Sequence, residues 1–450
     1  MAFLRGTTSI LAWMALVLLL WQAAPAQAQW NVERLTDDGY RDDAPRVSQE
    51  PSRNVAWRKK PSLQYDIYAI YFHDGLATRA ISVVDQIEEP SISGSRVTWS
   101  RYFKAGQPQP DCSESGASCN NPDEVIFLFD GVGTQAITCR DGLDCDDDGG
   151  IEDDRDGRDH NPVIDGMNMA WIEGTYNHKV EYYNGSSVTR IDDTGGSGAD
   201  ISGSNVVWIN GGVMLYTGSL PPDRLDTGTY SCGAPHVAGP IVVWNETIPQ
   251  PVGGTDVVMY DGSSTTTIAT GGVNGGPRCT ETDVVFEMNG YVGLYNIAAA
   301  STVELGLYLA RNPDVAGPLV VWAQGGGNEE IYVYDMRNGS TTRLTNNSYR
   351  DTYPVVSGGT IAWRGQAAGS GTSDNDWEIF KAVITGDLDN DADVDGDDLA
   401  LFVDCMNGPG VEPQCDVDAD FDNDGDVDLR DASELLLCFN GRDNPPACSW

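Results

Sequence analysis

The sequence predicts an all-β propeller of about eight four-stranded blades, followed by a small α-helical domain with paired EF-hand-like calcium loops. Three observations predict it. A segment of about 40 residues recurs along most of the chain, tight-turn dipeptides divide each copy into short β-patterned runs, and two twelve-residue acidic loops repeat near the C-terminus.

The chain opens on an expected export signal, residues 1–28. Arg5 supplies the positive start, Ile10 to Trp21 is a short apolar run, and Ala26-Gln27-Ala28 is a small-x-small cleavage pattern. Twelve apolar residues are too few to span a bilayer. The mature chain then leaves room for a large domain at about 29–384 and an appendage at 386–450. Asp and Glu number 68 against 27 Lys and Arg. That balance argues against nucleic acid or an anionic membrane surface as partners, and no other stretch is long or apolar enough to suggest membrane insertion after the signal is removed. Ten cysteines in an exported chain are read as disulfides.

Each copy of the repeat runs from Pro through a short alternating stretch and Gly to two apolar residues and an aromatic. The aromatics are Trp57, Trp99, Trp171, Trp208, Trp244, Phe286, Trp322 and Trp363, spaced by 42, 72, 37, 36, 42, 36 and 41 residues. A second strand pair follows in each copy, as in Ile331–Asp335 with Thr341–Thr345. Turn dipeptides such as Asn338-Gly339 and Asp261-Gly262 lie between paired strands. Four strands in about 40 residues make a propeller blade, with seven blades as the alternative count. The copy at 277–305 is the least regular. The aromatic series is expected to pack between blades rather than to stack on a sugar.

A ring of sheets must close or leave edge strands. The last copy shows only three strands, Pro354–Ser357, Thr360–Trp363 and Trp377–Ile384. Asn31–Thr36 contains the same Arg-Leu-Thr as 343–345 and is expected to supply the fourth.

The Arg-Leu-Thr strands, the Pro-x-x-Ser/Ala-Gly first strands and the Ile-Tyr-x-Tyr-Asp third strand resemble the TolB-type, WD40-like propeller family over about residues 30–384. Ser-Gly or Ala-Gly stands here where that family has Ser-Pro-Asp-Gly. The resemblance implies a binding or assembly scaffold.

Residues 386–450 hold 19 acidic residues against two arginines. Asp387, Asp389, Asp391, Asp393, Asp395 and Asp398 occupy positions 1, 3, 5, 7, 9 and 12 of a twelve-residue loop, and Asp420, Asp422, Asp424, Asp426, Asp428 and Asp431 repeat the pattern. A hard cation needs six to eight oxygen ligands, so two Ca²⁺ ions are the expected cofactors. Side chains at 1, 3, 5 and 12 are the expected ligands, position 7 offers its carbonyl, and position 9 acts through water. A helix is expected after each loop. Leu399, Phe402, Val403 and Met406, and their counterparts Ala432, Leu435, Leu436 and Phe439, form its expected buried face. Cys405 and Cys438 are 33 apart, as are Cys415 and Cys448; the symmetry predicts Cys405–Cys415 and Cys438–Cys448, with cross-half pairing as the alternative.

These halves resemble the duplicated loops of type I dockerins over 386–441. The resemblance implies ligand roles for Asp387, Asp389, Asp391, Asp395, Asp398, Asp420, Asp422, Asp424, Asp428 and Asp431, and docking onto a cohesin-like or cell-surface protein. Position 6 of the first loop is Ala392, where Gly is usual. Positions 10 and 11 are Gly396-Asp397 and Leu429-Arg430, where cellulosomal dockerins carry hydroxyls.

An acidic insertion at about 103–160 carries Cys112, Cys119, Cys139 and Cys145, with Cys112–Cys119 and Cys139–Cys145 the simplest bridges. Asp144, Asp146 and Asp148 imitate the start of a calcium loop, but Arg155 holds position 12, so a solvated acidic loop is favoured. Cys232 and Cys279 are a candidate staple between blades. The pattern Arg-Asp-x-x-Pro recurs at 41–45, 158–162 and 350–354. It makes Asp42, Asp159, His160 and Asp351 a candidate ligand site at the propeller's channel mouth. The plainer reading is that these Asp side chains cap turns. Two functions fit. One is a secreted calcium-binding scaffold whose propeller recognises a glycan or protein. The other is an extracellular polysaccharide-degrading hydrolase or lyase, whose catalytic residues the sequence does not name.

Overall fold

A computed structural model describes residues 30–48, 52–61, 67–103, 123–138, 159–174, 178–272, 274–366, 377–411, 415, 418–421 and 424–448. The expected export signal, most of the acidic insertion with its four cysteines and Asp144, Asp146 and Asp148, and the loop residue Asp422 lie outside the described residues. The chain divides into two units. The larger holds Val32–Val383 with Asp389–Ala392, and the smaller takes most of the region from Ile384 onward.

Alternation of β-branched and aromatic residues with polar ones builds the larger unit from antiparallel sheets. Five sheets have four strands in sequence order. In a sixth, the first strand is interrupted at Pro90, and its pieces Gln86–Ile87 and Ser91–Ser93 both pair with Arg96–Phe103. The remaining eight strands form the first and last blades, joined where Arg41 pairs in parallel with Trp377. The first strands of these eight four-stranded groups are in contact in sequence order, and Asp351–Ser357 returns to Arg41–Val47. The β-propeller arrangement therefore closes on itself. The copy at 277–305, the least regular in sequence, forms a fully paired sheet from Asn274–Cys279 to Ser301–Leu305.

The closing strand is the expected one. Trp30–Arg34 pairs with Trp377–Ile384, and Leu35 N donates to Ile379 O at 2.8 Å.

The Pro of the repeat marks a β-bulge. Register shifts fall at Asp43/Arg46, His160/Val163, Arg311/Asp314 and Thr352/Val355, among others. The residue inside each of these, Ala44, Asn161, Asn312 and Tyr353, has φ between 51° and 54°. A left-handed residue followed by Pro bends the strand and re-aims the side chain two places earlier.

The core lies between sheets. The seven repeat tryptophans and Phe286 are at most 2% exposed. Trp208 packs on Ala170, Ile172 and Val180 of the preceding blade, and Trp322 on Val285, Val292 and Leu294. Trp57 packs on Ala362 and Ile379, so the same contact carries the ring through its closure. At ~25 cal/mol per Å², each indole stabilises the ring by several kcal/mol.

Cys232 and Cys279 do not form the expected staple; both thiols are free. Cys279 faces the apolar core beside Val284 and Phe286, and its Sγ lies 3.3 Å from His236 Nδ1.

Two predictions follow from burial. Trp208→Ala removes an indole packed across a blade boundary, and urea unfolding should show a loss of about 3–5 kcal/mol. Burial pushes the Asp351 carboxyl up from 3.8 to about 6. A raised carboxyl favours folding while protonated, so this contribution is complete below pH 3.8 and disappears as pH rises through about 6. Between those values the wild-type urea midpoint should fall relative to that of Asp351→Asn; parallel profiles would contradict the assignment.

Candidate metal centre

In the smaller unit two helices of ten residues follow the acidic loops: α1, Gly396–Cys405, and α2, Leu429–Cys438. Both start at position 9 of their loop for one reason. Asp395 and Asp428 are N-caps, accepting from Asp397 N and Arg430 N at 2.7 Å. Asp398 and Asp431, at position 12, return the bond to the N-cap amides at 2.7 and 2.9 Å. These capping boxes fix the carboxylates at positions 9 and 12 and stabilise each helix start by about 1 kcal/mol.

Position 6 needs a left-handed residue. Gly425 takes φ 94° without cost, whereas Ala392 takes φ 73° with a methyl group. Position 8 of each loop then ties to the segment that follows the other half's helix. Asn440 N and Gly441 N donate to Val394 O at 3.0 and 3.1 Å, and Asn407 N and Gly408 N donate to Val427 O at 3.2 Å each. The 33-residue repeat is thus a reciprocal pair of contacts. Val394, Val427, Phe402 and Leu435 are fully buried.

The helix faces differ from the periodicity. The buried positions are Asp398, Phe402 and Cys405 on α1, and Asp431, Leu435 and Cys438 on α2. Val403 and Leu436 are more than half exposed, and Met406 and Phe439 are exposed as well. The disulfides turn Cys405 and Cys438 inward and shift the buried stripe by one residue. Both bridges are the expected ones, Cys405–Cys415 and Cys438–Cys448.

The predicted ligands converge in three clusters whose carboxylate oxygens lie within 4.8 Å of one another: Asp387, Asp389 and Asp398; Asp393, Asp395 and Asp398; and Asp426, Asp428 and Asp431. Asp387, Asp398 and Asp431 are fully buried. Oδ2 of Asp426 accepts from Gly410 N at 2.5 Å, and its buried Oδ1 has no hydrogen-bond partner among the described residues. Asp420 folds its own loop, accepting from Asp424 N at 3.1 Å and Gly425 N at 2.9 Å. Asp391, Asp420 and Asp424 stand outside these clusters, and Arg430 lies 3.4 Å from Asp424. Carboxylates packed this closely fit a hard divalent cation, which would supply the charge that the loops lack.

The four candidate residues of the propeller are not gathered into such a cluster among the described residues. Asp42, Asp159 and Asp351 each accept the indole N–H of their own blade's tryptophan: Trp57 at 2.9 Å, Trp171 at 2.8 Å and Trp363 at 3.1 Å. His160 Nε2 lies 3.3 Å from Gly174 O. The repeated Asp therefore latches a tryptophan, which explains its place two residues before the bulge. Trp208 uses Asp192 in the same way at 2.8 Å. Asp42 also joins a fourth cluster with Asp38 and Glu378. Sequence reading missed those two partners, because they lie 340 positions apart and meet only through ring closure.

Cys438→Ser with Cys448→Ser opens a short covalent loop. The unfolding free energy of the helical unit should fall by about 2–3 kcal/mol in thermal melts.

No protein-family model matches the chain, and no curated protein matches it. Solved structures that share some of its form include the β-propeller domain of the Trilobed protease from Pyrococcus furiosus, at 10% identity and TM-score 0.43, covering 76% of this chain and 95% of that one. TolB from Acinetobacter baumannii matches at 11% identity and TM-score 0.31, over 48% of this chain and 63% of that one. A Mycobacterium tuberculosis puromycin-hydrolyzing peptidase matches at 14% identity and TM-score 0.40, over 63% of this chain. This chain spans about half the length of that peptidase, and the hydrolysis in its name is said of that protein.

Proposed function

We propose that the chain is an exported calcium-binding scaffold. Its eight-bladed ring presents a recognition face to a glycan or a protein. Its paired, EF-hand-like, dockerin-like tail takes two Ca²⁺ ions and docks to a cohesin-like or cell-surface protein. The observation that carries the reading is the doubled loop: each brings buried carboxylates together in front of a capped helix, and the position 8 carbonyl of each accepts from the residues that follow the other half's helix. Acidic loops of this density repel themselves until a cation neutralises them, so binding and ordering are coupled.

Docking is supported by the outward face of the helices. Val403, Leu429, Leu436 and Leu437 are each more than half exposed. Apolar side chains grouped on short helices suit a protein partner better than a polyanion.

The test is amide exchange and calorimetry on the full chain. Added Ca²⁺ should slow exchange in 396–405 and 429–438, and Asp398→Asn and Asp431→Asn should each remove one equivalent of bound calcium. Equal exchange in chelator and in calcium would overturn the reading.

A further inference from the structure

The two junctions flanking the last blade share one local sequence, offset by 309 residues. Arg34-Leu-Thr-Asp-Asp38-Gly-Tyr-Arg-Asp42 corresponds to Arg343-Leu-Thr-Asn-Asn347-Ser-Tyr-Arg-Asp351. Their hydrogen bonds correspond as well. Thr36 accepts from Ile379 N, and Thr345 from Ile331 N, both at 2.9 Å. Arg34 meets Glu378 Oε1 at 3.2 Å, and Arg343 meets Glu330 Oε1 at 2.8 Å. Asp38 N donates to Glu378 Oε1 at 3.1 Å, and Asn347 N to Glu330 Oε1 at 3.2 Å. Trp57 and Trp363 hold the Oδ1 atoms of Asp42 and Asp351.

One difference has a large consequence. Asn347 donates its amide to Asp351 Oδ2 at 2.7 Å. Its counterpart Asp38 has no proton to give. Asp42 Oδ2 and Glu378 Oε2 are both left buried without a hydrogen-bond partner among the described residues, and both side chains belong to residues that are fully buried. Carboxylate oxygens of Asp38, Asp42 and Glu378 lie within 4.8 Å of one another. Lys59 is hydrogen-bonded to Asp38, and Arg34 divides itself between Glu378 and Asp37. Neither reaches the two bare oxygens. At the other junction the place of Lys59, two residues after the tryptophan, is held by Gly365.

We propose that Asp38, Asp42 and Glu378 bind a divalent cation of the Ca²⁺ class within the propeller, where the closing strand, the first blade and the last blade meet. Oxygens on opposite sides of a Ca²⁺ ion lie up to ~4.8 Å apart, twice a bond of ~2.4 Å, so the three side chains already stand at ligand spacing. Backbone carbonyls and water complete the shell. The ion ties residues from both ends of the ring and makes closure calcium-dependent. The site is independent of the C-terminal loops.

The experiment separates the two. In the full chain carrying Asp387→Asn, Asp398→Asn, Asp420→Asn and Asp431→Asn, calorimetry with Ca²⁺ and Tb³⁺ emission sensitised by nearby indoles such as Trp57 should report one remaining equivalent. Asp38→Asn in that background installs the arrangement of the other junction. It should abolish the signal, or weaken binding at least tenfold, with the fold kept. Asn347→Asp should add a site at the second junction. No binding by the loop-disabled chain, or binding unchanged by Asp38→Asn, overturns the proposal. If the loop-disabled chain binds while the wild type gains no further equivalents, the C-terminal reading fails and this one stands.

Discussion

A carboxylate taken out of water must be met by a donor or by a positive charge, since an unpaired buried charge costs several kcal/mol. This chain buries acids at each place where its architecture is most constrained. In the propeller the donor is an indole: Asp42, Asp159, Asp192 and Asp351 each hold a tryptophan of the inter-blade core. In the C-terminal loops the donors are backbone amides at helix starts, and they satisfy only part of each carboxylate. At the ring junction the donors run out. The same requirement is thus solved by an aromatic N–H, by a capping box and, on our proposal, by a cation.

Closure gives that requirement its leverage. Blades stack only on their neighbours, so a ring is as stable as its weakest boundary. The seam that no chain connection crosses lies inside the last blade, between Trp377–Ile384 and the closing strand Trp30–Arg34. Here the N-terminal strand pairs with Trp377–Ile384, Trp57 packs on Ile379, and Arg364 bonds Asp43 at 2.7 Å across the blades. A cation at Asp38, Asp42 and Glu378 would add a clamp where sequence-local contacts are absent.

Much of this was legible in the sequence because repeats state the same physical demand several times. The tryptophan spacing, the Arg-Leu-Thr strand and the paired cysteines each gave their partner by symmetry. Other features were hidden. The Pro at 45, 162, 313 and 354 marks a left-handed bulge, which no periodicity reveals, because the bulge is an interruption of period 2. The repeated Asp was legible as a position but not as an indole acceptor, since its tryptophan lies 12 to 15 residues downstream. Val403 and Leu436 looked inward by helical spacing, yet the disulfides turn Cys405 and Cys438 to the core instead. The partnership of Asp38 with Glu378 depends on closure, so no local window contains it.

Anomalous diffraction from crystals of the full chain grown with Tb³⁺ in place of Ca²⁺ tests the account most directly. Peaks are expected inside the loops 387–398 and 420–431, with a further peak among Asp38, Asp42 and Glu378. Bare electron density at all three, with the carboxylates still buried and close, would contradict it.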